Sequence, residues 1–212
     1  MLLELQQILV KPGQQILLKD ISWQQLENIL EELGEKRAAR LSYSNGWLEI
    51  MLPLPEHEKD KEFLGDLVKI ILEELQIDFE PLGSTTFKSE SMTQAVEPDA
   101  CFYIQNYGAV IGKNRINLTV DPPPDLAIEI DITSRTRFDN YEILGVPELW
   151  RYTQQGLEIN LLQQGKYVKA NFSPHFPDIP IIQLVNEYGA QCITVGRSQA
   201  IRDFKNWLKN NL

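Results

Sequence analysis

Residues 125–132, DLAIEIDI, decide the fold. Apolar residues occupy every second position, and the polar positions between them include Glu129 and Asp131. A period of two is typical of a β-strand with one apolar face. Because positions two apart in a strand are separated by about 6 to 7 Å, both carboxylates can reach one common point.

A third acid precedes an earlier apolar stretch. Residues 97–104 read EPDACFYI, which places Asp99 directly before another short strand. Carboxylates in isoleucine-rich strands are costly to bury unless a cation, a donor or water compensates them. Carboxylate oxygens suit Mg²⁺, Mn²⁺ or Ca²⁺ rather than zinc. We therefore expect a metal site that draws on Asp99, Glu129 and Asp131, although Asp99 could instead cap a turn.

The composition is that of an ordinary globular protein. The chain has 212 residues, 43% of them hydrophobic and 24% charged, which predicts a single domain over residues 1–212. The net charge of −10 argues against a protein that coats nucleic acid by charge alone, but it leaves room for a local basic groove. The sequence has no long apolar run and no basic signal at its start, so we expect a cytoplasmic protein without a membrane span.

Two helices and a hairpin are predicted before the acidic strands. A serine-capped amphipathic helix spans residues 22–33, and residues 40–52 form a hairpin over Asn45-Gly46. In the next helix, from about residue 57 to 75, His57 and Lys61 continue the spacing of the buried stripe. The first turn of this helix is therefore expected to abut the acidic site. The alternative is that His57 is an exposed or helix-capping histidine.

Other catalytic classes lack their motifs. The chain contains neither a phosphate-binding glycine loop nor a dinucleotide fingerprint, and it has no zinc-protease or serine-hydrolase signature. What remains is an acid after proline, a later strand with two acids, and a following helix with basic residues.

That order resembles the PD-(D/E)XK nuclease superfamily, and more closely the Uma-type restriction endonuclease family. The matching segments are residues 97–100 (EPDA), 124–130 (PDLAIEI), 133–134 (TS) and 140–150 (NYEILGVPELW), together with Glu56-His57. The resemblance implies an α/β fold of restriction-endonuclease-like type, with a central mixed β-sheet flanked by α-helices. It also implies a Mg-dependent (or Mn-dependent) endonuclease that hydrolyses DNA, with a homodimer as the expected assembly.

The resemblance also implies roles for individual residues. Asp99 and Glu129 would bind the metal, Asp131 would assist as a further ligand, and Arg137 with His57 or Lys61 would contact phosphate or steer the leaving group. Asp131 has an alternative role, which is to pair with Arg137.

One departure affects the predicted chemistry. Asp131 stands where the superfamily has its lysine, and Arg137 stands where the Uma-type group usually supplies a lysine from the following helix. Arginine keeps the positive charge, but its pKa above about 12 makes it a poor proton acceptor. Two rival readings follow: a binding or assembly module that has lost catalysis, and a hydrolase of a small phosphorylated substrate.

Overall fold

The computed structural model describes residues 10–34, 38–83, 85–90, 93–131 and 138–212. The helices are α1 (Trp23–Leu33), α2 (Pro55–Glu74), α3 (Phe138–Leu144), α4 (Ile181–Thr194) and α5 (Arg197–Asn211). The strands up to the second acidic segment are β1 (Gln15–Leu18), β2 (Arg40–Ser44), β3 (Trp47–Met51), β4 (Glu80–Pro81), β5 (Phe87–Ser89), β6 (Gln94–Val96), β7 (Ala100–Tyr103) and β8 (Leu126–Asp131). The remaining strands are β9 (Glu148–Thr153), β10 (Gly156–Gln163) and β11 (Lys166–Ala170).

A mixed sheet of six strands forms the centre, in the order β11-β10-β9-β8-β7-β4. Strands β8 and β9 are parallel, and the other neighbouring pairs are antiparallel. Helix α3 lies in the connection between β8 and β9. The acidic strand β8 is therefore an inner strand, bonded on one side to the strand that follows Asp99.

The alternation of β8 separates its two faces. Leu126, Ile128 and Ile130 pack into the largest apolar cluster, which also contains the buried residues of α2, α4 and α5. The opposite face carries Ala127, Glu129 and Asp131, and Ala127 packs with residues of α3. The predicted sharing of one face by the two acids is thus confirmed, because the other face is filled by apolar side chains.

A second, antiparallel sheet lies beside the first, in the order β1-β3-β2-β6-β5. Helix α1 packs on it through a separate apolar cluster that includes Leu26, Leu41, Tyr43 and Leu48. The sequence predicted helices flanking a central sheet, whereas α1 packs on the second sheet. Leu26 and its neighbours can bury against either sheet, and the periodicity of a helix does not say which one.

The fold class and most elements agree with the predictions. The α/β architecture with a central mixed sheet is confirmed, as is the hairpin turn, where Asn45 and Gly46 both have positive φ. Helix α1 begins at the predicted serine: Ser22 and Gln25 form a reciprocal capping box. The predicted start of the helix after β8 lies outside the described residues. In the described part of the chain, no helix combines the length and the apolar character needed to cross a membrane.

Candidate active site

Asp99 is fixed at the junction of the two acidic strands. It precedes β7 directly and is 2% exposed. Its Oδ2 accepts a hydrogen bond of 2.8 Å from the backbone amide of Ile130 on β8. This bond ties the Asp99 carboxylate to the strand that carries Glu129, so the two acids predicted from sequence are brought together.

The first turn of α2 delivers His57 to Asp99. The imidazole is 1% exposed, and its Nε2 lies 3.1 Å from Asp99 Oδ2. Burial alone would raise the pKa of Asp99, but the contact with His57 and the Ile130 amide outweigh it, so the pKa lies below its usual value. The prediction that the start of this helix abuts the acidic site is therefore confirmed, and the alternative of an exposed histidine is wrong.

Arg40 adds a positive charge that the sequence did not reveal. It begins β2 in the second sheet, and its Nε lies 3.6 Å from Asp99 Oδ1. Glu58 of α2 is 3.6 Å from the same guanidinium and also binds Lys61, at 3.1 Å. Lys61 is therefore engaged with Glu58, and Arg40 is the cation that the described structure places beside Asp99.

Glu129 faces Asp99 and is held by a tyrosine. The phenol of Tyr141, on α3, donates a hydrogen bond to Glu129 Oε1. Burial raises the pKa of Glu129 well above its usual value, the negative charge of Asp99 raises it further, and the Tyr141 hydrogen bond offsets part of the rise. The same surroundings raise the pKa of Tyr141, so its phenol stays a proton donor. Without a further cation, the two carboxylates resist being charged together.

Asp131 is bound by an arginine that the sequence did not suggest. Arg151, on the parallel neighbour β9, donates to Asp131 Oδ2 through Nε at 2.8 Å and also through Nη2. The guanidinium also lies 3.3 Å from Glu158 and 4.8 Å from the ring centre of Phe138. Arg137, the partner considered for Asp131, lies outside the described residues. The pairing with Arg151 places a cation next to the position where the superfamily has its lysine.

The other acids of the two strands have structural partners. Asp125 accepts hydrogen bonds from the backbone amides of Ile104, at 2.7 Å, and Asn106, at 2.9 Å. Glu97 accepts from the backbone amide of Leu41, at 3.0 Å, and from the hydroxyl of Thr86. These carboxylates stabilise loop and sheet contacts, whereas Asp99 and Glu129 face each other.

The donor set fits a hard divalent cation. Among the described residues, no group of three histidine, cysteine or acidic side chains is arranged to hold a metal. Asp99 and Glu129 therefore offer a pair of carboxylates, which is the number that Mg²⁺ commonly takes from a protein while water and phosphate complete its octahedron. A cation bound between the two carboxylates would lower the raised pKa of Glu129, because it favours the charged form.

The sequence analysis assigned no role in the site to Arg40, Arg151 or Tyr141. Arg40 and Arg151 reach the site from strands that carry no acidic motif, so only the sheet registers bring them there. Tyr141 is 1% exposed, and its phenol donates to Glu129. The matching segment of residues 140–150 was the available signal for Tyr141.

One family model matches most of the chain. The family model described as "Uma2: Putative restriction endonuclease" matches residues 23–195. A crystal structure described as that of a "putative nuclease belonging to DUF820" from Anabaena variabilis is similar at 15% identity and a TM-score of 0.49, over 74% of this chain and 89% of that chain. No curated protein matches the chain at a significant level.

Proposed function

Because the chain belongs to the Uma2 restriction endonuclease family, we propose that it is a Mg²⁺- or Mn²⁺-dependent nuclease that hydrolyses phosphodiester bonds in DNA. The observation that carries this proposal is the carboxylate pair. Asp99, just before β7, faces Glu129 on the inner strand β8, and their shared environment raises the pKa of Glu129 well above its usual value. Two acids kept together in this environment cost folding free energy unless a proton, a polar partner or a cation compensates them.

The proposed metal ligands are Asp99 and Glu129, whereas Asp131, expected from the resemblance as an assisting ligand, is bound by Arg151. When bound, the ion would supply Lewis acidity at the scissile phosphate and lower the pKa of the attacking water. The protein's own groups orient this centre. His57 and the Ile130 amide fix the direction of Asp99, and Tyr141 fixes that of Glu129.

Positive charge for the phosphate comes from two sides of the proposed centre. Arg40 lies beside Asp99 and is suited to contact a phosphate oxygen. Arg151 compensates the charge of Asp131 and so reduces the repulsion between this carboxylate and a phosphate. Arg137 keeps its proposed role in phosphate contact. His57, at 1% exposure, is better placed to position Asp99 than to touch the substrate.

One observation favours the rival of a binding module that has lost catalysis. Asp131 occupies the position of the superfamily's lysine, and Arg151 binds it. Arginine cannot accept a proton at neutral pH, so the water must be activated by the metal or by a carboxylate. Titration calorimetry with Mg²⁺ or Mn²⁺ separates the two functions, because the nuclease requires the ion and the module does not.

Hydrolysis of a small phosphorylated substrate is the other rival function, and the net charge of −10 is compatible with it. The homodimer and the cytoplasmic location stay predictions.

The direct test is cleavage of plasmid DNA. The purified protein is expected to cut the plasmid with Mg²⁺ or Mn²⁺ and to leave it intact in the presence of a chelator. Glu129→Gln keeps the size of the side chain but removes the charge, and it is expected to abolish cutting. The matched control is Glu187→Gln, an exposed position on α4, which should cut like the wild type. Full activity of Glu129→Gln would remove this carboxylate from the mechanism.

A further inference from the structure

A polar cavity of about 680 Å³ is lined by Arg40, the arginine that lies beside Asp99. It lies between α1, the start of β2, β5 and the loop around Arg115. Its volume falls within the roughly 300 to 1,000 Å³ of small-molecule sites. Arg40 lines the cavity and also stands 3.6 Å from Asp99, so the cavity opens next to the proposed reaction centre.

The cavity wall combines hydrogen-bonding amides with apolar surface. Gln24 and Asn28 come from α1, and Asn114 comes from the loop after β7. Leu30 and Ile116 supply apolar surface. Side-chain amides present a donor and an acceptor side by side, which is the pattern that matches the edge of a nucleobase. Apolar side chains suit the flat face of a base.

The charges of the cavity suit one phosphate group rather than many. Lys88 of β5 binds Glu27 of α1 at 2.8 Å, which neutralises both at the wall and joins the two elements. Glu97 is satisfied by the Leu41 amide and Thr86. The lining also carries Arg40, next to Asp99, Arg115 and the acidic Glu31. Arg40 Nε makes no hydrogen bond within the described structure.

The net charge of the whole chain also favours binding of one nucleotide over binding of a long duplex. A protein with a net charge of −10 has little to attract the dense phosphates of a duplex over many base pairs. A base within a duplex also cannot enter a pocket unless it leaves the stack. A nucleotide of an unpaired strand enters without that cost.

We propose that this cavity is a base subsite, which seats one nucleotide of single-stranded DNA while Arg40 holds the adjacent phosphate at Asp99 and Glu129. The subsite makes unpaired DNA the substrate class. This inference rests on the proposed function, because it assigns the nucleotide next to the bond that the carboxylate centre would cleave.

The test is fluorescence anisotropy with a short labelled single-stranded oligonucleotide and with the duplex of the same sequence, in a chelating buffer that prevents cleavage. The wild type should bind the single strand at least about tenfold more tightly than the duplex, since each seated base contributes about that factor. Asn28→Phe fills the cavity from an exposed helix position and should weaken single-strand binding about tenfold. Asn206→Phe makes the same change on the exposed face of α5, outside the cavity lining, and should bind like the wild type.

A second variant distinguishes filling of the cavity from unfolding of α1. Asn114→Phe fills the cavity from the exposed loop on the other wall and should give the same weakening. Equal affinity of the wild type for duplex and single strand, or unchanged binding by both filled variants, overturns the subsite. These results are independent of the cleavage assay. If the protein cuts no DNA but prefers single strands through the cavity, the nuclease proposal is refuted and the subsite is retained. If the protein cuts DNA but Asn28→Phe and Asn114→Phe bind single strands like the wild type, the subsite is refuted and the nuclease proposal is retained.

Discussion

Glu129 depends on its neighbours more than any other residue of the candidate site. The negative charge of Asp99 and the burial of the site both oppose its ionisation, and the Tyr141 phenol favours it. Binding of a cation is expected to deprotonate the Glu129 carboxyl, since the cation favours the charged form. Tyr141 is thereby part of the proposed metal centre, although it would not touch the ion.

Removing the Tyr141 hydroxyl should weaken metal binding without emptying the core. In Tyr141→Phe the pKa of Glu129 is expected to rise further, because the hydrogen bond that lowers it is gone. We expect the affinity for Mn²⁺, measured by calorimetry, to fall about tenfold, as for other groups that orient metal ligands. Tyr43→Phe is the control, since it also removes a buried phenol, one on β2 of the second sheet that donates to the Ile21 carbonyl. Its loss should cost about 1 kcal/mol of stability and leave Mn²⁺ affinity unchanged. An equal affinity of both variants would refute the role of Tyr141.

The loop between β7 and β8 shapes the proposed subsite from a distance. Asp121 binds the Lys113 ammonium and accepts a hydrogen bond of 2.9 Å from the Asn117 amide. Those contacts hold the segment that carries Asn114 and Arg115 to the cavity. The Asn117 amide and Lys113 lower the pKa of Asp121 below its ordinary value.

The contribution of Asp121 to stability should depend on pH with a definite sign. A carboxyl group whose pKa is lowered by folding stabilises the protein above its ordinary pKa of 3.8, and that stabilisation is lost as pH falls through the lowered value. Asp121→Asn should therefore melt below the wild type at neutral pH, and the two melting temperatures should converge as the pH falls through the lowered pKa of Asp121. Asp178→Asn, at an exposed position, is the charge-matched control. Thermal unfolding across this range that shows a constant or widening gap would contradict the account.

The secondary-structure elements differ in how well the sequence predicted them. The alternation in residues 125–132 predicted β8 and its two faces, because a strand buried on one side must repeat every two residues. The capping box at Ser22 and the Asn-Gly turn were local signals of the same strength. Strand β6 was missed because its three residues are too few for a pattern. The short β1 was missed as well.

The contacts between distant elements could not be read from the sequence. Arg40 meets Asp99 only because β2 lies in a second sheet next to the site, and Arg151 meets Asp131 only because β9 pairs in parallel with β8. Nothing in the local sequence of either arginine marks that register. His57 is the exception, since its spacing with the buried stripe of α2 placed it toward the core.

At the scale of the whole molecule, two sheets and their helices meet at the carboxylate pair. The central sheet supplies Asp99 and Glu129, α2 supplies His57, and the second sheet supplies Arg40. The second sheet also forms one wall of the cavity through β2 and β5. The arrangement thus joins a proposed reaction centre to a proposed base subsite, and the two share one arginine.

The most direct measurement of the central claim is the anomalous scattering of a crystal soaked in Mn²⁺. Density is expected between the carboxylates of Asp99 and Glu129, and it should vanish in crystals of Glu129→Gln. A map that shows the guanidinium of Arg40 filling that gap, with no anomalous peak in the wild type, would contradict the metal centre and the hydrolysis proposed from it.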